Sequence, residues 1–344
     1  MTWWKFWKSS DVTQGAEEAV GSAAQSSWLT PERKAALEYE KMLIKEARLS
    51  DEASTSMGLN GKPVEDRPKV FDPALKHFTV GTVPEEPAFE SAEQEEKWRR
   101  LRMAAMSHVL RTVADLPASE HLVLRGSALM CAWFQKVARP PKDLDFVVIP
   151  ATRSMEDSRS VAMLDSIVKA VTSRECADIK FSADEVDRNH IWTYDRVPGT
   201  RIVFRWTAEG MPWGSTQLDF VFGESLPVDP MPLEIELGEG PSAKMLTASK
   251  SLSLAWKLLW LHSDMHPRGK DLYDAMLLAE ATQLPYSLLE EVFRLAENGD
   301  HVPPPDGLVD FETDGLEWIG FDERDPQMVA KWVERLRNAL QSRR

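Results

Sequence analysis

Apolar residues recur at two different periods along the chain, and each period predicts a different kind of element. Spacings of three and four residues, as in the run Trp98, Leu101, Ala105 and Val109, are typical of an amphipathic helix. Alternation with a period of two is typical of a strand with one buried face. The helical pattern occurs at 30–48, from 91 through that run, at 128–137, 158–173, 251–261 and 288–298, and from Asp325-Pro326 onward. The strand pattern occurs at 122–124, 143–149, 190–196, 201–207 and 216–222.

The order of these elements predicts an α/β (α+β) protein, with a small mixed sheet flanked by helices and a helical C-terminal half. The strands at 190–222 are expected to form an antiparallel meander, with turns at Pro198-Gly199 and around Gly214. Three regions are expected: an N-terminal extension at 1–90, partly disordered or linker with one helix, a core at 91–240 and a helical region at 241–344. Within the extension, 49–90 is rich in Pro, Gly and acidic residues and is expected to be a connector with little structure of its own.

Composition narrows the classes of function. With 43% hydrophobic residues among 344, the chain can bury a sizeable core. A net charge of −14 argues against a general nucleic-acid coat, because nonspecific binding to phosphates needs clustered Lys and Arg. Any nucleic-acid contact must therefore be local. Basic residues do stand close to the motifs described below, either as a basic pocket or as scattered solvated charges: Arg125, Lys136, Arg139, Lys142, Lys257, Arg268 and Lys270.

Cysteine use and the N-terminus bear on the compartment. Cys131 and Cys176 lack zinc-ligand spacing and predict no disulfide framework, which fits a reducing cytoplasm. No apolar run approaches the roughly 18 residues that span a membrane, so no integral membrane segment is expected. The opening MTWWKFWKSS is too short and too aromatic for a signal peptide. It is expected to be a tail that docks on protein or is disordered, with an interfacial membrane anchor as the alternative.

The stretch 121–149 joins both patterns in one short unit. Apolar residues 122–124 lead into Gly126-Ser127, a helix follows, Pro140-Pro141 end it, and a second strand begins at Asp143. A glycine after a strand permits a backbone turn that other residues resist. The free N–H groups and positive dipole end of a helix that begins at this turn would suit a phosphate.

Two aspartates share one face of that second strand. Because side chains alternate, Asp143 and Asp145 lie on the same side with Cα atoms about 6.6 Å apart, and Leu144, Phe146 and Val148 face the core. Two carboxylates at that spacing can hold a hard divalent cation together with phosphate oxygens. The alternative is a solvated strand edge or a loop cap. The Gly-Ser turn upstream in the same unit favours the metal site.

Gly126-Ser127, fifteen further residues and then Asp143-Leu144-Asp145 resemble the signature of the nucleotidyltransferase superfamily, in the spacing of the AbiEii/AbiGii (MenT-like) toxin family. That family shows a Leu-Lys-Gly-Gly-Thr-Ala-Leu turn and an Arg-x-Ser-x-Asp-Leu-Asp strand entry, which resemble 123–129 and 139–145 here. In this chain Leu124 replaces the lysine, Arg125 the first glycine and Pro141 the serine. The resemblance covers about 95–285 and implies a nucleotidyltransferase core at 91–240.

Three further residues complete the site that the resemblance implies. Asp219, the one acidic residue of the strand at 217–222, resembles the fold's third carboxylate, a metal ligand and general base; the alternative is an edge aspartate that faces water. Lys257 is the one charge in the apolar helix 251–261, so it either snorkels to the surface or reaches an anion. The family implies that Lys257 holds nucleotide phosphates and that Asp271 orients Lys257 or the nucleotide. Asp271 would equally suit a helix N-terminus as a plain acid.

The resemblance also implies a reaction. An NMP would pass from an NTP to a hydroxyl with release of pyrophosphate, in the presence of Mg²⁺, or Mn²⁺ in its place. The acceptor would be RNA, at the 3′ end of tRNA, and a cognate antitoxin would be the partner in a toxin–antitoxin or phage-defence system. Alternatives are a small-molecule or protein acceptor and a non-catalytic nucleotide-binding module. The implied set has metal ligands Asp143, Asp145 and Asp219, catalytic partners Lys257 and Asp271, and nucleotide-binding residues Gly126, Ser127, Arg139 and Lys257.

Overall fold

The computed structural model describes residues 69–71, 82–84, 86–193, 197–238, 240–263, 267–297, 308–309, 313, 316 and 326–342. All of them belong to one compact unit. The predicted helix at 30–48 and the Trp-rich N-terminus lie outside the described residues.

A seven-stranded mixed sheet forms the centre of the described part of the chain. The strands are β1 (Lys69–Phe71), β2 (Thr82–Pro84), β3 (Leu122–Arg125), β4 (Asp143–Val148), β5 (Lys180–Thr193), β6 (Val197–Thr207), β7 (Gly214–Val221), β8 (Met231–Ile235) and β9 (Ala243–Thr247). The large sheet has the order β5-β6-β7-β4-β3-β9-β8, and β1 and β2 form a separate antiparallel pair. β4 is parallel to β7 and antiparallel to β3, and β3 is parallel to β9. The mixed sheet confirms the predicted fold class.

Helices pack against this sheet and against each other. They are α1 (Ala92–Ala114), α2 (Ser127–Phe134), α3 (Ser158–Ser173), α4 (Lys250–Ser263), α5 (Gly269–Ala281), α6 (Tyr286–Glu297) and α7 (Pro326–Ser342). Ser91 caps α1 by accepting a hydrogen bond from the backbone N–H of Gln94 at 3.2 Å, which confirms the predicted helix start. α1 packs against α3, β7 and β9, and α5 packs between α4 and α7. None of the described helices has the length and apolar character that crossing a membrane requires.

The apolar faces of the central strands make the core. Leu144, Phe146 and Val148 of β4 are inaccessible to solvent, and Phe146 stacks on Phe220 of β7 with ring centroids 5.3 Å apart. The alternation that buries these side chains sends Asp143 and Asp145 to the opposite face of the sheet. α4 is buried from 252 to 261, as its almost uniformly apolar sequence predicts.

The meander is confirmed, but the turn predicted at Pro198-Gly199 is wrong, whereas the turn predicted around Gly214 lies directly before that residue. Pro198-Gly199 lies inside β6, where a Cβ on Gly199 would come within 2.7 Å of the Phe220 carbonyl oxygen. Glycine is therefore needed there for close strand packing. The connection from β6 to β7 runs through 208–213, with Gly210 at a φ of +69°, and Gly214 is the first residue of β7. β5 begins at Lys180, ten residues before the predicted strand. A register shift between Phe181 and Val186 interrupts the alternation of side chains, so the sequence pattern does not reveal the first part of this strand.

Four strands add to what the pattern predicted. β8 and β9 pair antiparallel and extend the large sheet beside β3. β9 starts at Ala243, so the sheet continues past the predicted boundary at 240, and the division into three regions stays a prediction. The connector at 49–90 contains the β1–β2 pair, and Phe89 packs on Trp98 of α1 with ring centroids 5.5 Å apart.

Candidate active site

The turn between β3 and α2 requires glycine for two reasons. Gly126 has a φ of +79° and a ψ of −151°, a backbone conformation that L side chains rarely adopt. A Cβ built on Gly126 would also lie 2.2 Å from Oδ2 of Asp145. The turn therefore brings the main chain directly against the second carboxylate of the D-x-D strand.

Ser127 connects the same turn to the first carboxylate. Its Oγ donates a hydrogen bond to Oδ1 of Asp143 at 3.0 Å, and the serine is only 2% exposed. Ser127 is also the first residue of α2, whose N-terminal N–H groups favour an anion. One short turn thus combines an anion-binding helix end with two oriented carboxylates.

Strand register places charged side chains in one row across the sheet. Arg125 of β3 lies opposite Asp145 of β4, Asp145 lies beside Asp219 of β7, and Asp219 lies opposite Arg201 of β6. Residues directly paired in adjacent strands present their side chains on the same face. The structure therefore brings Asp219 beside Asp143 and Asp145 as predicted, although its role as a metal ligand or general base stays a prediction.

Asp219 is tightly held by its neighbours. Nε of Arg201 donates to Oδ1 and Nη2 donates to Oδ2, both at 2.8 Å, and Nε2 of Gln217 donates to Oδ2 at 3.2 Å. Arg201 is 4% exposed and Asp219 is 7% exposed. The alternative of an edge aspartate facing water is wrong, because β7 lies between β4 and β6 and Asp219 is buried in an ion pair.

The environments of the two D-x-D carboxylates push their pKa values apart. Burial, together with the nearby charges of Asp143 and Asp219, raises the pKa of Asp145 to about 7. Burial also acts to raise the pKa of Asp143, but Lys270, Arg139 and the Ser127 hydrogen bond outweigh it and hold that pKa below its ordinary value. At neutral pH Asp143 is ionised and Asp145 is close to its midpoint.

A second charged network joins α4, α5 and the loop before β4. Nζ of Lys257 lies 2.5 Å from Oδ1 of Asp271 and 3.0 Å from Oδ2 of Asp274. Nε and Nη2 of Arg139 donate to the two oxygens of Asp274 at 3.2 and 2.9 Å. Lys257, Asp271 and Asp274 are all at most 4% exposed. Lys257 therefore meets anionic side chains inside the protein and does not snorkel to the surface.

Electrostatics link this network to the D-x-D strand. Burial lowers the pKa of Lys257, but Asp271 and Asp274 outweigh it, so that the pKa lies above its ordinary value. Burial lowers the pKa of Lys270 to about 8, with Arg268 and Arg139 adding to the effect and Asp143 and Asp271 opposing it. Arg139 and Lys270 thus interact electrostatically with both Asp143 and Asp271.

Arg125, which stands in place of a family glycine, is held by a cluster of its own. Its Nη1 donates to both carboxylate oxygens of Glu224 at 2.9 and 2.7 Å. Its guanidinium also lies 5.2 Å from the ring centroid of Trp256 and 5.8 Å from that of Trp260, within cation–π range. The extra charge is therefore accommodated between the end of β3, the segment after β7 and α4.

Most predicted site residues come together, and the sequence missed several of their partners. The D-x-D strand, the turn and Asp219 form one group, and Lys257, Asp271 and Arg139 form the adjacent network. Arg201 and Glu224 carried no motif signal, because each pairs with a residue far away in the sequence. Asp274, nearly one turn after Asp271 on α5, is fully buried, forms an ion pair with Lys257 and accepts hydrogen bonds from Arg139.

The donor set fits a hard divalent cation only in part. Asp143 and Asp145 offer carboxylate oxygens on one face, and the repulsion that raises the pKa of Asp145 is relieved when a cation binds. Asp219 already accepts three hydrogen bonds. Within the described ranges, no three His, Cys, Asp or Glu side chains form a group that could hold a metal ion.

Comparisons with known proteins agree with this geometry. The family model described as the nucleotidyl transferase AbiEii toxin of the Type IV toxin–antitoxin system matches residues 108–343. A similar solved structure is MenT4, a nucleotidyltransferase toxin from Mycobacterium tuberculosis H37Rv, with a TM-score of 0.52 and 14% identity over 73% of this chain and 84% of that chain. At this identity the likeness shows the fold alone. Curated protein sequences give no match.

The family match takes in the elements that build the site. It includes the Gly126-Ser127 turn, the D-x-D strand that begins at Asp143, and the pair of helices that carry Lys257 and Asp271. More than half of the chain lies within the match. The chain belongs to the AbiEii nucleotidyl transferase toxin family.

Proposed function

We propose that this protein transfers a nucleoside monophosphate from an NTP to an acceptor hydroxyl, with Mg²⁺ or Mn²⁺, and that the acceptor is RNA at the 3′ end of tRNA. The observation that carries the proposal is the turn at Gly126-Ser127, which places a helix N-terminus, a serine hydroxyl and two carboxylates at one point. A triphosphate needs donors for its oxygens and cations for its charge, and both are present here.

Different residues of the site have different roles in the proposed reaction. The N–H groups at the start of α2, that of Ser127 among them, bind phosphate oxygens, while the Ser127 hydroxyl donates its one hydrogen to Asp143 and orients that carboxylate. Lys257 and Arg139, with Lys270 beside them, offset the negative charge of the phosphates and hold them in line for attack. Asp271 positions Lys257 through their 2.5 Å contact. A divalent cation on Asp143 and Asp145 would stabilise the charge of the transferring phosphoryl group.

Local positive charge supports RNA as the acceptor despite the acidic whole. Lys136 and Lys142 are exposed on the loop that leads from α2 to Asp143. An RNA strand that binds along this loop would present its terminal hydroxyl beside the carboxylates of Asp143 and Asp145. The family is defined by toxin–antitoxin systems, and we therefore include a cognate antitoxin as partner in the proposal.

The test is transfer of label from each of the four α-³²P NTPs to total tRNA in the presence of Mg²⁺. Label in tRNA with the wild type, and none with Asp145→Ala, is the expected result. Digestion of the product then shows whether the added nucleotide stands at the 3′ end. Circular dichroism of Asp145→Ala establishes that the variant is folded.

Other outcomes separate the competing functions. Label on protein, or on a small molecule from a cell extract, would show that this molecule and not RNA is the acceptor. It would still support nucleotidyl transfer as the reaction. If the protein binds nucleotide but releases no pyrophosphate with any acceptor present, the result would contradict an enzymatic function and favour a binding module.

A further inference from the structure

We propose that the site takes a single divalent cation, held by Asp143 and Asp145, and that the guanidinium of Arg201, fixed by Asp219, supplies the second positive charge to the triphosphate. The inference rests on the proposed function, since an NTP is the expected ligand. It assigns Arg201 a substrate-contacting role that no sequence motif indicates. It also gives Asp219 a positioning role in place of metal ligation.

The oxygens of Asp219 are already committed. Each accepts a hydrogen bond of 2.8 Å from Arg201, and Oδ2 accepts a further one from Gln217. A bidentate pair of this geometry is among the stronger side-chain interactions, because both bonds are charge-assisted and parallel. These three bonds take up most of the roughly four acceptor positions of the carboxylate, so a metal ion at Asp219 would have to displace a donor or bind directly beside the guanidinium.

Burial makes displacement of Arg201 costly. The side chains of Arg201 and Asp219 are 4% and 10% exposed. Separating a buried pair leaves charges that neither water nor a partner compensates, and removal of one member is strongly destabilising. An ion arriving at Asp219 would also place two positive charges side by side. The pair is therefore expected to stay closed when the site fills.

Arg201 is nevertheless close to the reacting groups. Asp219 is paired in register with Asp145, so Arg201 lies two strands from the D-x-D strand, on the same face. Two-cation phosphoryl-transfer sites clamp the attacking and leaving oxygens. Here the sheet itself provides one of the two positive charges.

The experiment counts Mn²⁺ ions by the electron paramagnetic resonance signal of free Mn²⁺, with and without each of the four α,β-methylene NTP analogues. The wild type is expected to bind one Mn²⁺ per chain in both conditions. Asp219→Asn, which keeps an oxygen for Arg201, is expected to bind one Mn²⁺ with its affinity changed less than about 3-fold. Asp143→Asn is expected to lose the ion.

A double variant tests Arg201 without leaving a buried charge. Arg201→Met with Asp219→Leu replaces both members of the pair by apolar residues, a change that buried pairs often tolerate. It is expected to keep one Mn²⁺ and to bind the analogues about 10- to 100-fold more weakly, the effect of losing a charge-assisted contact. A purely structural pair would shift the melting temperature and leave analogue affinity unchanged.

Three results would overturn the inference. They are two Mn²⁺ ions per wild-type chain with one lost in Asp219→Asn, no Mn²⁺ at all, or unchanged analogue affinity in the folded double variant. The transfer assay reports separately on the proposed function. Two bound Mn²⁺ ions together with nucleotidyl transfer would support the proposed function and contradict the role of Arg201. One bound ion without transfer to any acceptor would contradict the proposed function and leave the role of Arg201 standing.

Discussion

At the scale of single residues, Gly126 combines a positive φ with a close contact to Asp145. Its positive φ could be predicted from the turn motif, since a strand that runs straight into a helix needs a sharp change of direction. Its contact with Asp145 could not, because that depends on the antiparallel pairing of β3 with β4. The two requirements together leave no room for a side chain.

We expect Gly126→Ala to lower the rate of NMP transfer by about 100-fold or more, because displacing a positioned group by about 1 Å has an effect of that size. The measurement is the initial rate at saturating NTP. Gly210→Ala is the matched control, since Gly210 has a φ of +69° and no atom within 4 Å of the added Cβ. Equal losses in both variants would mean that backbone strain, and not the contact with Asp145, causes the defect.

Asp145 makes stability depend on pH. Its folded pKa of about 7 lies above the value of about 3.9 expected in an unfolded chain. The folded state therefore holds the proton more tightly, and this carboxyl lowers the free energy of unfolding as pH rises from about 4 to about 7. Asp143 has the opposite sign, because its folded pKa is lowered and its ionised form stabilises the fold above about pH 4.

We expect Asp145→Asn to raise the free energy of unfolding at pH 8 by on the order of 1–4 kcal/mol, at about 1.4 kcal/mol per pKa unit. The gain should disappear near pH 4, where the wild-type carboxyl is protonated in both states. Urea unfolding in EDTA at both pH values measures it. Asp143→Asn should lower stability at pH 8; a gain in that variant would contradict the opposed pKa shifts.

Motifs identified the reactive residues of the site but not the residues that hold them. Gly126, Ser127 and the D-x-D pair stand close together in the sequence, and local periodicity places them correctly. Arg201 and Asp274 are recognisable only through partners that the fold brings near. A buried ion pair between distant segments leaves no spacing for a pattern to detect.

At the scale of elements, α4 and α5 hold the charged network in common. Lys257 of α4 lies between Asp271 and Asp274 of α5, and Arg139 approaches Asp274 from the loop before β4. The sequence predicted that α4 is buried and that its single lysine is notable. The family resemblance implied that Asp271 on α5 orients Lys257 or the nucleotide; the structure places Asp271 2.5 Å from Lys257, and the role itself stays a prediction.

We expect Lys257→Met to lower the free energy of unfolding by about 3–5 kcal/mol, because two buried carboxylates lose a shared cation. Urea unfolding at pH 7 measures the loss. The control is Arg335→Ala, which removes the exposed pair of Arg335 with Glu280, also on α5, and should cost less than about 1 kcal/mol. Similar losses in the two variants would show that the Lys257 network contributes no more than a surface pair.

The loop from α2 to β4 provides the test of RNA contact. We expect Lys136→Ala with Lys142→Ala to weaken tRNA binding and to reduce the slope of log K against log salt by about 1.4, at roughly 0.7 per phosphate contact on a single strand. Fluorescence anisotropy at several salt concentrations measures both quantities. Lys331→Ala, an exposed lysine on α7, should leave the slope unchanged. An unaltered slope in the double variant would place the RNA elsewhere.

At the scale of the whole molecule, the fold class followed from the sequence but the order of strands did not. Periodicity found the meander and the helices, whereas β8 and β9 are short and gave no clear pattern. Their place beside β3 depends on tertiary pairing, which periodicity does not report. The same limit explains why the sheet extends past residue 240.

The match to the family begins at 108, yet α1 begins sixteen residues earlier, at Ala92. Trp98, Ala105 and Met106 of α1 are buried. We expect a chain of residues 108–344 to be insoluble or to melt at least about 10 °C below one of residues 86–344, because part of the core would be exposed. Circular dichroism on heating compares the two. Equal melting temperatures would show that the part of α1 before residue 108 is dispensable.

Because β3 and β9 are neighbours in the sheet but far apart in the sequence, the order of synthesis determines when the site can form. β4 through β8 are synthesised between these two strands, and α4 and α5 follow β9. A nascent chain that already displays the turn and the D-x-D strand still lacks Lys257 and Asp271. The candidate site is therefore complete only after residue 271 has been synthesised, and products that end before that residue lack part of it.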